Sequence, residues 1–367
     1  MEEIMKVSII TVSYNAVKTI EQTILSIKAQ SYTNIEYIII DGKSTDGTLE
    51  IIKKYQKYID HVICEPDKGI YDAMNKGIRL ATGDIIGFAN SDDWYEPDTI
   101  EKVVTCFNST DAELTHGIVW VVEEDGSRTK TNGFKNEKVE YEQIYYNMLP
   151  HLSVFTRKTV FEQYGGFDID YQIAADYDWL LRCYTNGVHF FYIDSIMGSF
   201  RKGGVSTSAG KLNQLAEENK EISLKYVSNS KNRELILNQI EERYRSFKLW
   251  YLAETNPAKI VDTVKDRFLD IAEGIVIFGS GIWGERIYRV LNSVAVPVHF
   301  FVDNNTKKWG TEQQGITIKS PEILKTYNGY IIVAVLNHAD KICKQLSEME
   351  NIGIEWTDLR EIADKVI

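Results

Sequence analysis

Hydrophobic residues follow two rhythms over the first hundred positions. Residues 7–12 (VSIITV) form an unbroken β-branched run, the pattern of a strand buried on both faces. Ile20, Ile24 and Ile27 then recur at helical spacing, and residues 37–40 (YIII) return to the strand pattern. Together they predict a βαβ unit. Asp46 is placed to cap a helix whose Leu49, Ile52, Tyr55 and Ile59 face inward. A strand at 61–64, a helix from about Tyr71, a strand at 84–89 and a helix opened by Pro97, with Ile100, Val103, Val104 and Phe107 inward, continue the alternation. Such alternation predicts a mostly parallel sheet covered on both sides. Ligands of these sheets bind beyond the carboxyl ends of the strands, which singles out residues 11–15, 41–46 and 90–93.

From about 114 to 200 the pattern is mixed, with strands expected at 117–123 and 188–193 and a helix near 176–186, an α+β extension. Residues 211–270 are rich in Glu, Lys, Leu, Ile and Asn and read as helices broken at Asn256-Pro257. A new strand at 275–278, a glycine-bearing turn, a helix, a strand ending at Asp303 and another at 330–335 predict a second, smaller α/β domain. The expected division is therefore 1–210, a helical connector at 211–270, and 271–367.

The 367 residues, 44% apolar and 26% charged, exceed the usual size of one core. A net charge of -12 disfavours nucleic acid and anionic bilayers as partners. No apolar run reaches a spanning length, and the opening MEEIMK lacks a secretion signal, so a cytoplasmic protein is expected. Cys64, Cys106, Cys183 and Cys343 stand far apart with no C-x-x-C pair, which points to incidental thiols.

Candidate chemistry sits at the predicted strand ends. Thr11, Ser13 and Tyr14 after the first strand and Asp41 to Thr48 after the second offer hydroxyl, carboxylate and stacking groups suited to a base and ribose, and equally suited to ordinary turn and cap chemistry. The third strand ends in Asn90-Ser91-Asp92-Asp93-Trp94. Two adjacent carboxylates repel one another unless a cation intervenes, and a few oxygen ligands suit Mg²⁺ or Mn²⁺ shared with substrate phosphates. A polar turn before a helix is the plainer alternative.

VSIITVSYN, YIIIDGKSTDGT, EPDKGIYDAMNKGI, TGDIIGFANSDDWYEPD and GGFDIDYQIAADYDWLLR, in that order over roughly residues 5–205, resemble the family 2 glycosyltransferases of the GT-A fold. The resemblance implies a GT-A domain of α/β class. It also implies transfer of a sugar, with inversion, from a nucleotide-diphosphate donor, typically a UDP-sugar, to an acceptor hydroxyl in bacterial surface-glycan synthesis. It places Thr11 and Tyr14 on the nucleotide and Asp41 on the base. Asp92 and Asp93 become the metal and ribose carboxylates, with Asp93 the direct ligand, and Asp176 the general base. Asn90 departs from the motif's leading Asp, and Lys43 replaces a small residue. Lys68 and Asn75 would border the donor. His151 and the Arg201-Lys202-Gly203-Gly204 turn, whose cations and N–H groups suit a diphosphate, are open between site and structure. Asp178, two residues past the base, should point elsewhere on a helix. A glycan or lipid-linked acceptor, transient contact with the inner face of the cell membrane and a homo-oligomer are compatible with the resemblance.

Gly279-x-Gly281-x-x-Gly284, with Asp303 some 20 residues on, has dinucleotide-binding spacing in a strand-to-helix context. It resembles small Rossmann-like modules appended to polysaccharide-biosynthesis proteins, with structural, docking and nucleotide-binding uses all open. Two rival readings remain: an oxidoreductase or epimerase acting on nucleotide sugars through these glycines, and a non-catalytic nucleotide-sugar sensor.

Overall fold

The computed structural model describes residues 4–131, 142–204, 208–227, 230, 232–268, 271–336, 339–349 and 353–367. The first three residues of the opening segment lie outside this range. The chain divides into two compact units, Met1–Ser208 with Glu218–Leu237 and Ala209–Glu217 with Asn238–Ile367. The helical segment expected as a connector is thus shared out between them.

In the first unit the elements run β1 (Val7–Ser13), α1 (Ile20–Lys28), β2 (Ile35–Asp41), α2 (Thr48–Lys54), β3 (His61–Cys64), α3 (Ile70–Leu80), β4 (Ile85–Phe88), β5 (Trp94–Tyr95) and α4 (Thr99–Ser109). They continue with β6 (Leu114–Val122), β7 (Arg128–Lys130), β8 (Phe155–Arg157), α5 (Lys158–Tyr164), α6 (Ala175–Thr185) and β9 (Phe190–Arg201). The part of helix α7 (Leu212–Tyr226) from Glu218 on and the start of α8 (Arg233–Thr255) complete it. Among the described residues one nine-stranded sheet has the order β3-β2-β1-β4-β8-β6-β9-β5, with β7 beside β6. The β3-β2-β1-β4 part is parallel, as the alternation predicts, and the rest is mixed. The α+β stretch is thus an extension of the same sheet.

Every residue of β1 is buried, which explains its largely apolar, β-branched run: helices cover both faces. Ile9, Ile24, Ile39, Ile100 and Phe107 meet in one core, where burying each such side chain contributes roughly 1.5–3 kcal/mol. Ser8 breaks the run because its hydroxyl bonds the buried Glu36 carboxylate, which Lys6 and Thr82 also hold. Two local expectations change. The N-cap of α2 is Gly47 at φ 100, with Asp46 bonding the Thr48 N–H from outside the helix, and α4 begins at Thr99, two residues beyond Pro97.

In the second unit, α8 continues into α9 (Pro257–Arg267), divided at Asn256 as its proline predicts. The sheet order is β12-β13-β11-β10-β14-β15, parallel except for β12 (Glu312–Gln313) on β13 (Ile316–Lys319). Strands β10 (Ile275–Phe278) and β11 (Val298–Val302) flank α10 (Ile282–Ser293). Strands β14 (Gly329–Val333) and β15 (Ile354–Asp358) flank α11 (Ala339–Ser347), and α12 (Leu359–Val366) ends the chain. Alternate residues of β10 face two cores, Ile275 and Ile277 one, Val276 and Phe278 the other. No helix among the described residues is long and apolar enough to cross a membrane.

Candidate active site

The parallel register pairs Ser13 with Asp41 and Ile10 with Phe88, so the carboxyl ends of β1, β2 and β4 form one edge. Helix α1 pins the acidic turn there: the Thr23 hydroxyl donates to the Asp93 carbonyl at 2.7 Å. Asp93 is fully enclosed. Its Oδ1 accepts the Arg201 N–H at 3.2 Å, and its Oδ2 lies 3.7 Å from His151 Nε2. This is no ion pair, because burial lowers the imidazole to about 4 while burial and then the Asp92 charge push the Asp93 carboxyl well up. The Asn90 amide NH₂ donates to His151 Nε2 at 2.9 Å. Asp92, half-buried, is also raised by desolvation, and a Cβ on Gly204 would stand 3.1 Å from its Oδ2, so the 201–204 turn lies against it.

Asn90 Oδ1, Asp93 Oδ2 and Arg201 Nε are all buried with no hydrogen-bond partner. Contacts through His151 and the Arg201 backbone join them in one cluster. The Arg201 guanidinium lies 5.1 Å from the Trp94 ring centroid, with one Nη on Gln22 Oε1 at 2.8 Å. Unsatisfied buried polar groups cost about 1–3 kcal/mol each, so two acceptors and one donor left open together mark a place completed by something of mixed charge. No group of three or more metal-ligating side chains occurs among the described residues. Of the two carboxylates, Asp92 is the more accessible. Asp93, expected as the direct ligand, is enclosed in this structure, whereas Asp92 is half-buried.

Three further candidates are engaged within the protein. Thr11 is buried, and its hydroxyl lies 3.1 Å from that of Tyr37. Asp41, also fully buried, accepts the Ser13 hydroxyl, the Ser44 hydroxyl and the Ser44 N–H, each at 2.7 Å, so its carboxylate ties the two loops together in this structure. Asn75 spends both ends of its amide on the Phe167 backbone, at 2.8 and 2.9 Å, and so clamps α3 to the turn before α6. Lys68 and Tyr14 are exposed. The Tyr14 ring and the Asp67 carboxylate converge over Gly42, where an added Cβ would meet them at 3.3 and 2.6 Å. A flat group can lie between such partners.

Asp176 occupies the first turn of α6. It is partly exposed but largely desolvated by its surroundings, and burial raises its carboxyl to about 6, against hydrogen bonds from Tyr71 and the Tyr177 N–H, both 2.9 Å. A carboxylate near 6 is matched to accepting a proton at neutral pH. Asp178 turns away to Arg182, Lys225 and Tyr226. Sequence reasoning passed over two supports of Asp176. Tyr71 reads as a core aromatic on α3. Glu218 reads as one more charge in a solvated helix, yet its carboxylate takes the N–H groups of Gln172, Ile173 and Ala174 at 2.9–3.1 Å and so fixes the entry to α6.

In the second unit Gly279, at φ 112, and Gly284 have packing reasons: a Cβ on Gly284 would stand 1.9 Å from the Gly279 carbonyl oxygen. Gly281 has none, with open space around it. Asp303, expected on a ribose hydroxyl, is engaged by the Ser280 N–H and hydroxyl, Lys308 and the Asn305 N–H, and so acts as an internal brace.

Residues 8–162 match the family described as Glycosyl transferase family 2, and residues 271–355 match the C2185-like, N-terminal family. An uncharacterized glycosyltransferase of Mycobacterium tuberculosis is 33% identical over 181 residues, 48% of this chain and 68% of that protein. Among solved structures, Staphylococcus aureus TarS 1-349 in complex with UDP-GlcNAc aligns at 18% identity and TM-score 0.56, covering 70% of this chain and 79% of its own. The mannosyltransferase PcManGT from Pyrobaculum calidifontis, in complex with GDP-Man and Mn²⁺, aligns at 18% identity and TM-score 0.50, covering 70% and 75%. These likenesses show a shared α/β GT-A-like fold.

Proposed function

The chain belongs to glycosyl transferase family 2, an enzyme that moves a sugar from a nucleotide-sugar donor, and from that premise we propose the finer reading. The donor is a UDP-sugar, held with Mn²⁺ or Mg²⁺ at Asp92, and the acceptor is a hydroxyl of a bacterial surface glycan or its lipid-linked precursor, attacked with inversion. The observation that carries this reading is the half-buried Asp92 carboxylate at the strand edge with the Arg201–Gly204 turn lying against it, where the Arg201 charge acts on Asp92. Acceptors and a cationic donor side by side suit a cation and a diphosphate together. The TarS complex with UDP-GlcNAc supports a UDP-sugar, and the PcManGT complex supports Mn²⁺.

In this reading Tyr14 stacks on the base over Gly42, and Arg201 meets the diphosphate. A bound divalent cation would neutralise charge on the departing diphosphate. Asp176 takes the proton of the acceptor hydroxyl as that oxygen bonds the anomeric carbon. The bond from that carbon to the diphosphate oxygen breaks, and its electron pair leaves with UDP. Only a base is needed on the acceptor side, which Asp176 supplies with a carboxyl raised to about 6.

A thermal-shift series with UDP-GlcNAc, UDP-glucose and GDP-mannose, each with Mn²⁺ or with chelator, tests the donor reading. A UDP-sugar at 100 times its Kd should stabilise the fold by about 2.7 kcal/mol, and only with the metal. Asp176→Asn should keep that stabilisation while transfer falls roughly 10²- to 10⁴-fold. Donor stabilisation that survives both chelator and Asp92→Ala would sink the metal assignment.

A further inference from the structure

The Tyr71 hydroxyl stands between two acceptors, Asp176 Oδ1 at 2.9 Å and the Ile173 carbonyl oxygen at 2.6 Å. It carries one proton and can donate fully to only one of them. Both acceptors are held in place by other groups. The segment bearing Ile173 is fixed by Glu218 through the Gln172, Ile173 and Ala174 N–H groups, and Asp176 Oδ1 takes the Tyr177 N–H. Tyr71 itself is buried in the first turn of α3, its ring 5.6 Å from that of Phe167. The ring cannot drift, so the torsion of its O–H bond is what remains free.

We propose that Tyr71 is a two-position hydroxyl switch that follows the protonation of Asp176, donating to the carboxylate while it is ionised and to the Ile173 carbonyl once the carboxyl has gained a proton. The inference rests on the reading of Asp176 as the base. Before transfer, the hydroxyl hydrogen bond favours the charged carboxylate in a desolvated place. As the acceptor's O–H bond breaks and its proton bonds to Asp176, Oδ1 loses negative charge. The Tyr71 proton then turns to the neutral carbonyl, and its oxygen is left free to accept. No proton leaves Tyr71, so the balance of the transfer is unchanged. Tyr71 is a positioning residue: it stabilises the base in both states without touching substrate.

The groups that face Asp176 are few. Tyr71 comes from α3, Glu218 from α7 and the Tyr177 N–H from its own helix, whereas Asp178 is engaged with Arg182, Lys225 and Tyr226. Glu218 raises the carboxyl by its charge, and Tyr71 is the side-chain donor that lowers it. Removing the hydroxyl therefore raises the titration midpoint of Asp176. A structural role for the ring alone predicts no such movement.

The test follows Asp176 directly, in the full chain labelled with ¹³C at aspartate carboxyls, its resonance assigned by its loss in Asp176→Asn. In Tyr71→Phe the midpoint should rise by about one pH unit, the value of one hydrogen bond to a charged acceptor. An unchanged or lowered midpoint overturns the switch. If the phenylalanine variant fails to fold, 3-fluorotyrosine at position 71 keeps the ring and strengthens the donor, and should move the midpoint down; no movement again overturns it. Transfer rates separate this inference from its premise. Under the switch, Tyr71→Phe loses rate at pH 6 and recovers toward the parent at pH 9, whereas full activity of Asp176→Asn would refute the base while leaving the midpoint shift standing.

Discussion

Asp41 offers a sharp contrast between touching a donor and shaping its site. Its buried carboxylate receives the Ser44 N–H and, at 3.7 Å, the Cys64 thiol on Oδ1, and the hydroxyls of Ser13 and Ser44 on Oδ2. The amide N–H cannot reverse its role, but both hydroxyls can. In Asp41→Asn the remaining oxygen can keep the Ser44 N–H while the new NH₂ donates to hydroxyls that now accept, for a cost of about 1 kcal/mol. Asp41→Ala leaves the Ser13 and Ser44 donors without this partner and should cost roughly 3–5 kcal/mol, since hydrogen bonds to a buried charged acceptor are worth about 1.5–3 kcal/mol each and are not additive. Because Ser44 Oγ also receives the Asn15 N–H at 2.8 Å, the alanine change loosens the Tyr14–Asn15 corner as well. Urea unfolding, read as separate transitions of the two units, measures the stabilities, and calorimetry with UDP and Mn²⁺ measures binding. The expected result is near-parent affinity for the asparagine variant and weak binding for the alanine variant. If Asp41→Asn folds normally yet loses affinity as fully as Asp41→Ala, the carboxylate meets the nucleotide and the positioning argument fails.

Asp92→Ala should abolish metal-dependent turnover with little effect on folding, whereas Asp93→Asn should retain metal stimulation; the reverse ranking in an Mn²⁺ titration would return the ligand role to Asp93. Glu36 is pushed up by burial, but hydrogen bonds from Lys6, Ser8 and Thr82 outweigh this and hold it at about 2, against an ordinary 4.5. A depressed carboxyl contributes stability above its unfolded value, here about 3 kcal/mol, and that contribution fades as pH falls from 4.5 toward 2. Glu36→Gln should flatten that acid limb of the stability curve. Gly284→Ala should cost the second unit about 1–3 kcal/mol because its Cβ meets the Gly279 carbonyl, whereas Gly281→Ala should change its melting by less than about 0.5 kcal/mol.

The architecture was legible where periodicity and burial coincide. The runs at β1, β2 and β4 and the helical spacing of Ile20, Ile24 and Ile27 mark their elements to within a residue or two. Residue order also marks which strand ends share an edge, because parallel neighbours bring their carboxyl ends together. What could not be read was which way a polar residue at such an end faces. Asp92 and Asp93 differ by one position, yet Asp92 is half-buried and Asp93 enclosed, so adjacent side chains of the same chemistry divide between crevice and core according to a local turn geometry that no motif spells out. Asn75 was hidden for a different reason: its partner is a backbone 92 residues away. Glu218 sits in a stretch, EENKE, whose composition says only that a helix is wet on one side.

Because residues 218–226 brace Asp176 and Asp178, the transferase is discontinuous along the gene. A fragment cut after the last recognisable motif, near residue 205, would carry every signature of the chemistry and lack the carboxylate that anchors the entrance to its own base-bearing helix. Comparisons that trim such proteins to their motifs would discard that anchor unseen, and recombining the N-terminal part with a foreign tail would succeed only where the tail brings an equivalent acid.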